Sequence, residues 1–234
     1  MQIAILGAGA WGTALAIQAG RRHDVRLWAR DAEQAASMRA ARSNLKYLPG
    51  SAFPDRLQVE TGPALTWLGG MDLIVLAGPM SSLRPLLHTL HASKTVHAPV
   101  AWLCKGFESA TEHNAGGWLP HEVQKQTAPE LRCGALSGPS FAQEVAAHQP
   151  TALVAASEHT EVRQRLPYRL SDVHRSCSSL CRYERGTNAR TRAGLPEPPT
   201  MGSGAATSMA PVAGSFATLA SCVRPYFPAP RRNE

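Results

Sequence analysis

The residues nearest the N-terminus have the types and spacing of a phosphate-binding loop. Gly7, Gly9 and Gly12 form a G-x-G-x-x-G pattern directly after an apolar run, residues 2–6, and before a run of helix formers. In such a loop the first glycine makes a tight turn, the second lets the backbone approach a diphosphate, and the third lets helix pack closely on strand. The helix N-terminus then presents N–H groups to the phosphates. This context favours a dinucleotide site over a glycine-rich turn without a ligand.

Two charged residues, Arg30 and Asp31, follow the second predicted strand, residues 25–29. At this position an acid binds the ribose 2′-OH of NAD, whereas an arginine pairs with the 2′-phosphate of NADP. Asp31 also suits the N-cap of a helix predicted at 32–41, and a solvated surface role is the alternative for either residue. The cofactor is therefore predicted to be NAD or NADP, with both open.

Lys105 and Ser140 are candidates for contacts with a substrate. Lys105 follows a predicted strand at 100–104, where an ammonium group can neutralise a phosphate or polarise a carbonyl. Ser140 precedes a helix predicted to begin near Phe141, and its hydroxyl can cap that helix and bind a ligand hydroxyl. The alternatives are a surface lysine before a glycine turn and a serine that only caps a helix.

Apolar runs alternating with helical patterns must position these residues. Strands are predicted at 2–6, 25–29, 73–77, 100–104, 135–137 and 151–156, and helices at 13–19, 32–41 and 82–91. Continuous apolar runs indicate strands that are buried on both faces of a mainly parallel sheet. The fold class is therefore predicted as α/β, a Rossmann-type doubly wound sheet with right-handed crossovers.

The composition changes near residue 165. Residues 166–234 contain nine arginines, no lysine, eight prolines and eight serines, without helical or strand periodicity. Such a segment buries too little apolar surface to offset the entropy of ordering it. We predict a Rossmann domain at 1–165 and a mostly irregular, Arg/Ser/Pro-rich tail at 166–234, and the abrupt change suggests a shifted reading frame or a degenerate gene as the origin of the tail.

The bulk properties exclude several classes of function. Most of the net charge of +7 belongs to the tail, and no nucleic-acid motif accompanies it, so no nucleic-acid partner is predicted. No apolar run is long enough to cross a membrane, and the N-terminal sequence is unlike a secretion signal, so a cytoplasmic location is predicted. Five irregularly spaced cysteines indicate neither a disulfide framework nor a metal site.

Several sequence blocks together carry a resemblance to a known family. They are GAGAWGTALA at 7–16, LWAR at 27–30, NLKYLPG at 44–50, Lys105-Gly106, LSGPSFAQEVA at 136–146 and PTA at 150–152. In this order, over residues 2–157, they resemble bacterial NAD(P)-dependent glycerol-3-phosphate dehydrogenase.

The resemblance implies interconversion of sn-glycerol 3-phosphate and dihydroxyacetone phosphate, a reaction that supplies glycerophospholipid synthesis. Besides the loop glycines, it implies cofactor contacts by Ala10, Trp11, Arg30, Tyr47, Lys105 and Ala142. It implies substrate contacts by Lys105, Gly138 and Ser140. For Trp11, simple packing is the alternative to shielding the cofactor.

One part of the family pattern is not matched. The family continues into a helical substrate domain that supplies a proton-acceptor lysine in a Gly-Gly-Ala-(Leu/Val)-Lys-Asn block, and no such block follows residue 157. No catalytic residue is therefore assigned. A dinucleotide-binding remnant without turnover is the alternative function, because hydride transfer without a positioned proton acceptor loses orders of magnitude in rate. A third hypothesis is an interaction protein with a basic tail and a Rossmann scaffold.

Overall fold

The computed structural model describes residues 1–162, apart from 63–64, 111–116, 139, 150 and 152, and the predicted tail at 166–234 lies outside the described residues. The described strands are β1 (Gln2–Leu6), β2 (Asp24–Ala29), β3 (Ser43–Asn44), β4 (Leu48–Ala52), β5 (Leu57–Thr61), β6 (Leu73–Leu76), β7 (Val100–Trp102), β8 (Cys133–Ser137) and β9 (Val154–Ala156). The helices are α1 (Ala10–Gly20), α2 (Ala32–Ala41), α3 (Met80–Ser93), α4 (Pro120–Thr127) and α5 (Ala142–Ala146), with a 3₁₀ turn at Thr66–Gly70.

Seven of these strands form one sheet in the order β5-β2-β1-β6-β7-β8-β9. All neighbouring strands are parallel except β8 and β9, which are antiparallel. The chain leaves β1 toward β5 on one side and resumes at β6 on the other side. The predicted doubly wound, mainly parallel sheet is confirmed, and its topological switch point lies between β1 and β6.

The core has two parts because helices cover both faces of the sheet. Ile3 and Ile5 of β1 face the cluster formed with α1, α2 and α5. Ala4 and Leu6, which alternate with them, face the cluster formed with α3 and α4. All four side chains are fully buried, which explains why β1 is apolar at every inner position.

The structure also contains elements that the apolar runs did not predict. The edge strand β5 alternates Leu57 and Val59, both buried, with exposed Gln58, so it has no continuous apolar run. A second, two-stranded antiparallel ladder pairs β3 with β4. Helix α4 is short and largely polar. Among the described helices, none combines the length and apolar character that a bilayer crossing requires.

Candidate functional site

The predicted site residues follow the carboxyl ends of parallel strands. Gly7 follows β1, Arg30 follows β2, Lys105 comes shortly after β7, and Gly138 follows β8. Because these strands are parallel, all four positions lie at one edge of the sheet. Neighbouring strands are about 4.8 Å apart, so the ends of β1 and β7 are roughly 10 Å from each other. Ligands of open α/β sheets bind at this edge, beside the switch point.

The loop between β1 and α1 is closely packed at its first and third glycines. Gly7 has a φ of +129°, a conformation that side-chain-bearing residues rarely adopt, and a Cβ there would lie 2.8 Å from the carbonyl carbon of Ala77. A Cβ on Gly12 would lie 1.9 Å from the Gly7 carbonyl oxygen. Both positions therefore require glycine for the turn itself, whether or not a ligand binds.

Gly9 differs from the other two glycines, because a Cβ there would meet no atom within 4 Å. It is the N-cap of α1, and no side chain caps the helix or places an acid in its first turn. The first N–H groups of a helix have no partner within the helix, and here no side chain substitutes for one. The loop therefore presents bare backbone donors and a positive helix end to open space, which suits a diphosphate.

Two side chains to which the sequence analysis assigned no role hold this loop through hydrogen bonds to the Ala8 carbonyl. Asn44 of β3, which is buried, donates through Nδ2 to the Ala8 carbonyl at 3.0 Å and to Thr13 Oγ1 at 2.8 Å. Gln34 of α2 donates through Nε2 to the same Ala8 carbonyl at 2.8 Å. The only sequence signal was the position of Asn44 at the start of the NLKYLPG block.

The two charged residues after β2 have different surroundings. Asp31 caps α2, since its Oδ1 accepts hydrogen bonds from the N–H groups of Glu33 at 2.9 Å and Gln34 at 3.3 Å. The predicted N-cap role of Asp31 is thus confirmed. Arg30 is exposed beside the phosphate loop. Both side chains are exposed, and Asp31 uses only Oδ1 for the cap.

Trp11 and Tyr47 are the two aromatic residues for which cofactor contacts are predicted. Trp11, in the first turn of α1, is half-buried and packs partly against the core. This agrees with simple packing, the alternative role given for Trp11 above. Tyr47 is 43% exposed in the turn between β3 and β4, and its N–H donates to Asn44 Oδ1 at 3.2 Å. Cofactor contacts by these two residues and by Ala10, which begins α1, stay predictions.

Lys105 is exposed, and the segment after it is anchored at Glu108. The Glu108 carboxylate binds Arg84 of α3 through two hydrogen bonds, at 2.8 and 2.7 Å. Arg84 also donates to Thr127 Oγ1 at the end of α4, at 3.2 Å. Its hydrogen bonds lower the pKa of Glu108 below the ordinary value, so the pair is charged at neutral pH. The anchor fixes the chain three residues beyond Lys105.

The turn after β8 brings Gly138, Ser140 and Ala142 to the same edge of the sheet. The prediction that Ser140 caps the following helix is wrong, because α5 begins one residue later and its N-cap is Phe141. The Phe141 N–H donates instead to the Glu144 carboxylate at 2.9 Å. Ser140 is half-buried and Ala142 is buried, so a ligand role for the Ser140 hydroxyl does not compete with capping.

The described cysteines add no charge to this edge. Burial raises the pKa of Cys104, next to Lys105, to about 11, and that of Cys133 to about 12. Both are free thiols that stay neutral at physiological pH. The described residues contain no cluster of three or more His, Cys, Asp and Glu side chains arranged to hold a metal ion.

Comparison with known proteins places the described region in one family. Residues 2–163 match the family described as NAD-dependent glycerol-3-phosphate dehydrogenase N-terminus. The glycerol-3-phosphate dehydrogenase [NAD(P)+] of Variovorax paradoxus is 53% identical over 169 residues, covering 71% of this chain and 49% of that protein. The enzyme of the same name from Delftia acidovorans is 55% identical over 172 residues, covering 71% and 50%.

Solved structures agree with the sequence matches. The crystal structure of glycerol-3-phosphate dehydrogenase from Coxiella burnetii superposes with a TM-score of 0.65 and 34% identity, covering 73% of this chain and 50% of that one. The chain thus spans about half the length of the curated relatives it matches.

Proposed function

Because the chain belongs to the family of NAD-dependent glycerol-3-phosphate dehydrogenases, we propose that its Rossmann domain, residues 1–165, binds NAD or NADP at the carboxyl edge of the sheet. The observation that carries this proposal is the phosphate loop, in which Gly9 faces open space at the uncapped N-terminus of α1. The activity proposed for the protein is interconversion of sn-glycerol 3-phosphate and dihydroxyacetone phosphate.

The order of the strands supports an orientation for the dinucleotide. Arg30 follows β2, on one side of the phosphate loop, and Lys105 and Gly138 follow β7 and β8, on the other side. We assign the adenosine half to the Arg30 side, where an exposed guanidinium suits a ribose 2′-phosphate. The nicotinamide half is assigned to the Lys105 side.

The chemistry supplied by a bound nicotinamide is hydride transfer to or from the substrate carbon. The Lys105 ammonium would neutralise the substrate phosphate or stabilise negative charge on the substrate oxygen. The backbone of Gly138 and the hydroxyl of Ser140 would hold the substrate by hydrogen bonds. Ala142 would lie against the cofactor.

Binding without turnover stays the second candidate function. Lys125 is the last lysine of the chain, so residues 166–234 offer no lysine as the proton acceptor that the family resemblance implies. Lys125 itself lies in α4, where its Nζ is 3.1 Å from Glu158 Oε1. The cytoplasmic location and the lack of a nucleic-acid partner also stay predictions.

Two measurements on the full chain test these proposals. Titration with NADH and with NADPH, followed by nicotinamide fluorescence, measures binding, and Lys105→Met is the matched variant for the substrate side. Loss of nicotinamide absorbance on adding dihydroxyacetone phosphate measures turnover. Binding with turnover supports the dehydrogenase, binding without turnover supports the second candidate, and no binding of either nucleotide contradicts both.

A further inference from the structure

The phosphate loop contains one backbone carbonyl that is held by two side chains. The Ala8 carbonyl accepts a hydrogen bond from Asn44 Nδ2 at 3.0 Å and another from Gln34 Nε2 at 2.8 Å. The two amides come from different elements, β3 and α2, so the carbonyl is fixed from two directions. The oxygen therefore accepts as many hydrogen bonds as it has lone pairs.

Fixing this carbonyl also fixes the next N–H group. The C=O of Ala8 and the N–H of Gly9 belong to one planar trans peptide, in which they point in opposite directions. Because the carbonyl points back toward Asn44 and Gln34, the Gly9 N–H must point away from these two side chains, and a Cβ on Gly9 would meet no atom within 4 Å. Among the described residues, no backbone acceptor takes this N–H.

Resting on the proposed function, we infer that Asn44 and Gln34 are positioning residues for the cofactor diphosphate. By holding the Ala8 carbonyl, they aim the Gly9 N–H at the phosphates before any ligand binds. A donor held in place in advance does not spend binding free energy on ordering the loop, so the two amides raise affinity without touching the ligand.

Asn44 is the more important of the two amides. It is 1% exposed and uses three of its four hydrogen-bonding positions: Nδ2 donates to Ala8 and Thr13, and Oδ1 accepts from the Tyr47 N–H at 3.2 Å. The reversed amide would place Oδ1 against the Ala8 carbonyl oxygen, so these contacts fix its orientation. One side chain thus joins the phosphate loop, helix α1 and the turn that carries Tyr47.

The test uses the full chain with Asn44→Ala, Gln34→Ala, the double variant and Asn44→Asp. Asn44→Asp keeps the shape but replaces the donor that holds Ala8 with an oxygen that repels it. Gln124→Ala is the matched control, because buried Gln124 also donates through Nε2 to two backbone carbonyls, Ala128 at 2.8 Å and Leu131 at 3.3 Å, in a region centred on α4. Melting temperature and NADH affinity are measured for each variant.

We expect Asn44→Ala and Asn44→Asp to weaken NADH binding about tenfold or more. The double variant should weaken it more than either single alanine variant does. Gln124→Ala should weaken it less than twofold at a comparable loss of melting temperature. A second readout follows the Gly9 amide proton by NMR while ADP-ribose, which has the diphosphate but no nicotinamide, is added. Its ligand-induced shift should be large in the original chain and reduced in the double variant.

The outcomes separate this inference from the proposed function. If the original chain binds neither NADH nor ADP-ribose, the proposed function fails. If it binds both, the proposed function stands, and either of two results overturns the positioning role. One is that Asn44→Ala loses no more NADH affinity than Gln124→Ala, and the other is that the ligand-induced shift of the Gly9 amide proton is unchanged in the double variant.

Discussion

Gly9 and Gly12 lie three residues apart in the phosphate loop but should respond differently to an added methyl group. In Gly9→Ala the new Cβ meets no protein atom within 4 Å, so stability should change by less than about 1 kcal/mol. The methyl group would occupy the space assigned to the diphosphate, so NADH affinity should fall about tenfold or more. Thermal unfolding and fluorescence titration measure the two effects.

Gly12→Ala is the comparison for Gly9→Ala. Its Cβ would lie 1.9 Å from the Gly7 carbonyl oxygen, so α1 must shift and the melting temperature should fall by several degrees. Equal NADH affinity in Gly9→Ala and the original chain would contradict the placement of the diphosphate against Gly9.

Arg30 should determine the ratio of the affinities for NADPH and NADH. Arg30→Ala removes the exposed guanidinium assigned to the 2′-phosphate, so NADPH affinity should fall at least about tenfold while NADH affinity changes little. Arg30→Lys keeps the charge but cannot donate two parallel hydrogen bonds to the phosphate. Its NADPH affinity should therefore lie between that of the original chain and that of Arg30→Ala. The ratio of the two dissociation constants is the measurement.

Asp31→Ala serves as the control at the neighbouring position. Asp31 caps α2, so its loss should destabilise the fold by about 1 kcal/mol and leave the ratio of the NADPH and NADH affinities unchanged. If Asp31→Ala alters this ratio and Arg30→Ala does not, the assignment of the 2′-phosphate contact to Arg30 is contradicted.

At the level of elements, the contact between α3 and the segment after β7 should depend on pH. The hydrogen bonds from Arg84 lower the pKa of Glu108 from its ordinary 4.5. A carboxylate with a lowered pKa in the folded state contributes stability above pH 4.5, and this contribution is lost as the pH falls through the folded-state pKa. Glu108→Gln should therefore cost about 1 kcal/mol at neutral pH and progressively less below pH 4.5, as measured by unfolding across pH.

A control and a functional readout accompany Glu108→Gln. Glu60→Gln removes a longer ion pair, in which Glu60 Oε1 lies 3.7 Å from Arg26 Nη1, and it should have a smaller effect on stability. If the proposed dehydrogenase activity is present, Glu108→Gln should raise KM for dihydroxyacetone phosphate, since Lys105 lies three residues from the anchor. A difference in stability that persists unchanged at low pH would contradict the role of the Glu108 charge.

The elements differ in how far the sequence could predict them. Strand β1 and helix α2 have the predicted bounds, because an apolar strand buried on both faces and a capped helix are locally encoded. Strand β5 was not predicted, since an edge strand with one polar face has no continuous apolar run. The start of α5 was predicted one residue early, because the N-cap is Phe141, whose N–H is bound by the Glu144 carboxylate, and the helix begins at Ala142.

The site shows the same limit for contacts between distant residues. The glycine pattern and the strand ends predicted the loop and the edge of the sheet, which depend on local sequence. The role of Asn44 could not be predicted, because its partner Ala8 lies 36 residues away and offers only a backbone carbonyl, which leaves no trace in residue type.

At the level of the whole molecule, the described fold uses the chain as far as residue 162. Val162 is fully buried, and a Cβ placed on Gly134 of β8 would lie 2.8 Å from its Cγ1. Glu161 forms an ion pair with Arg132, just before β8. Strand β9, at Val154–Ala156, pairs with the other edge of β8. The segment from β9 to Val162 is therefore part of the sheet domain.

We therefore expect a chain ending at residue 165 to keep the fold and the proposed cofactor site, with a melting temperature within a few degrees of the full chain and NADH affinity within about twofold. A chain ending at residue 150 loses β9 and the buried Val162 side chain, whose burial alone stabilises by about 1.5–3 kcal/mol, so it should melt at a clearly lower temperature. Thermal unfolding and NADH titration of the two shortened chains beside the full chain provide the test. Loss of NADH binding in the longer of the two, with folding intact, would assign part of the cofactor site to residues 166–234 and contradict the division of the chain at residue 165.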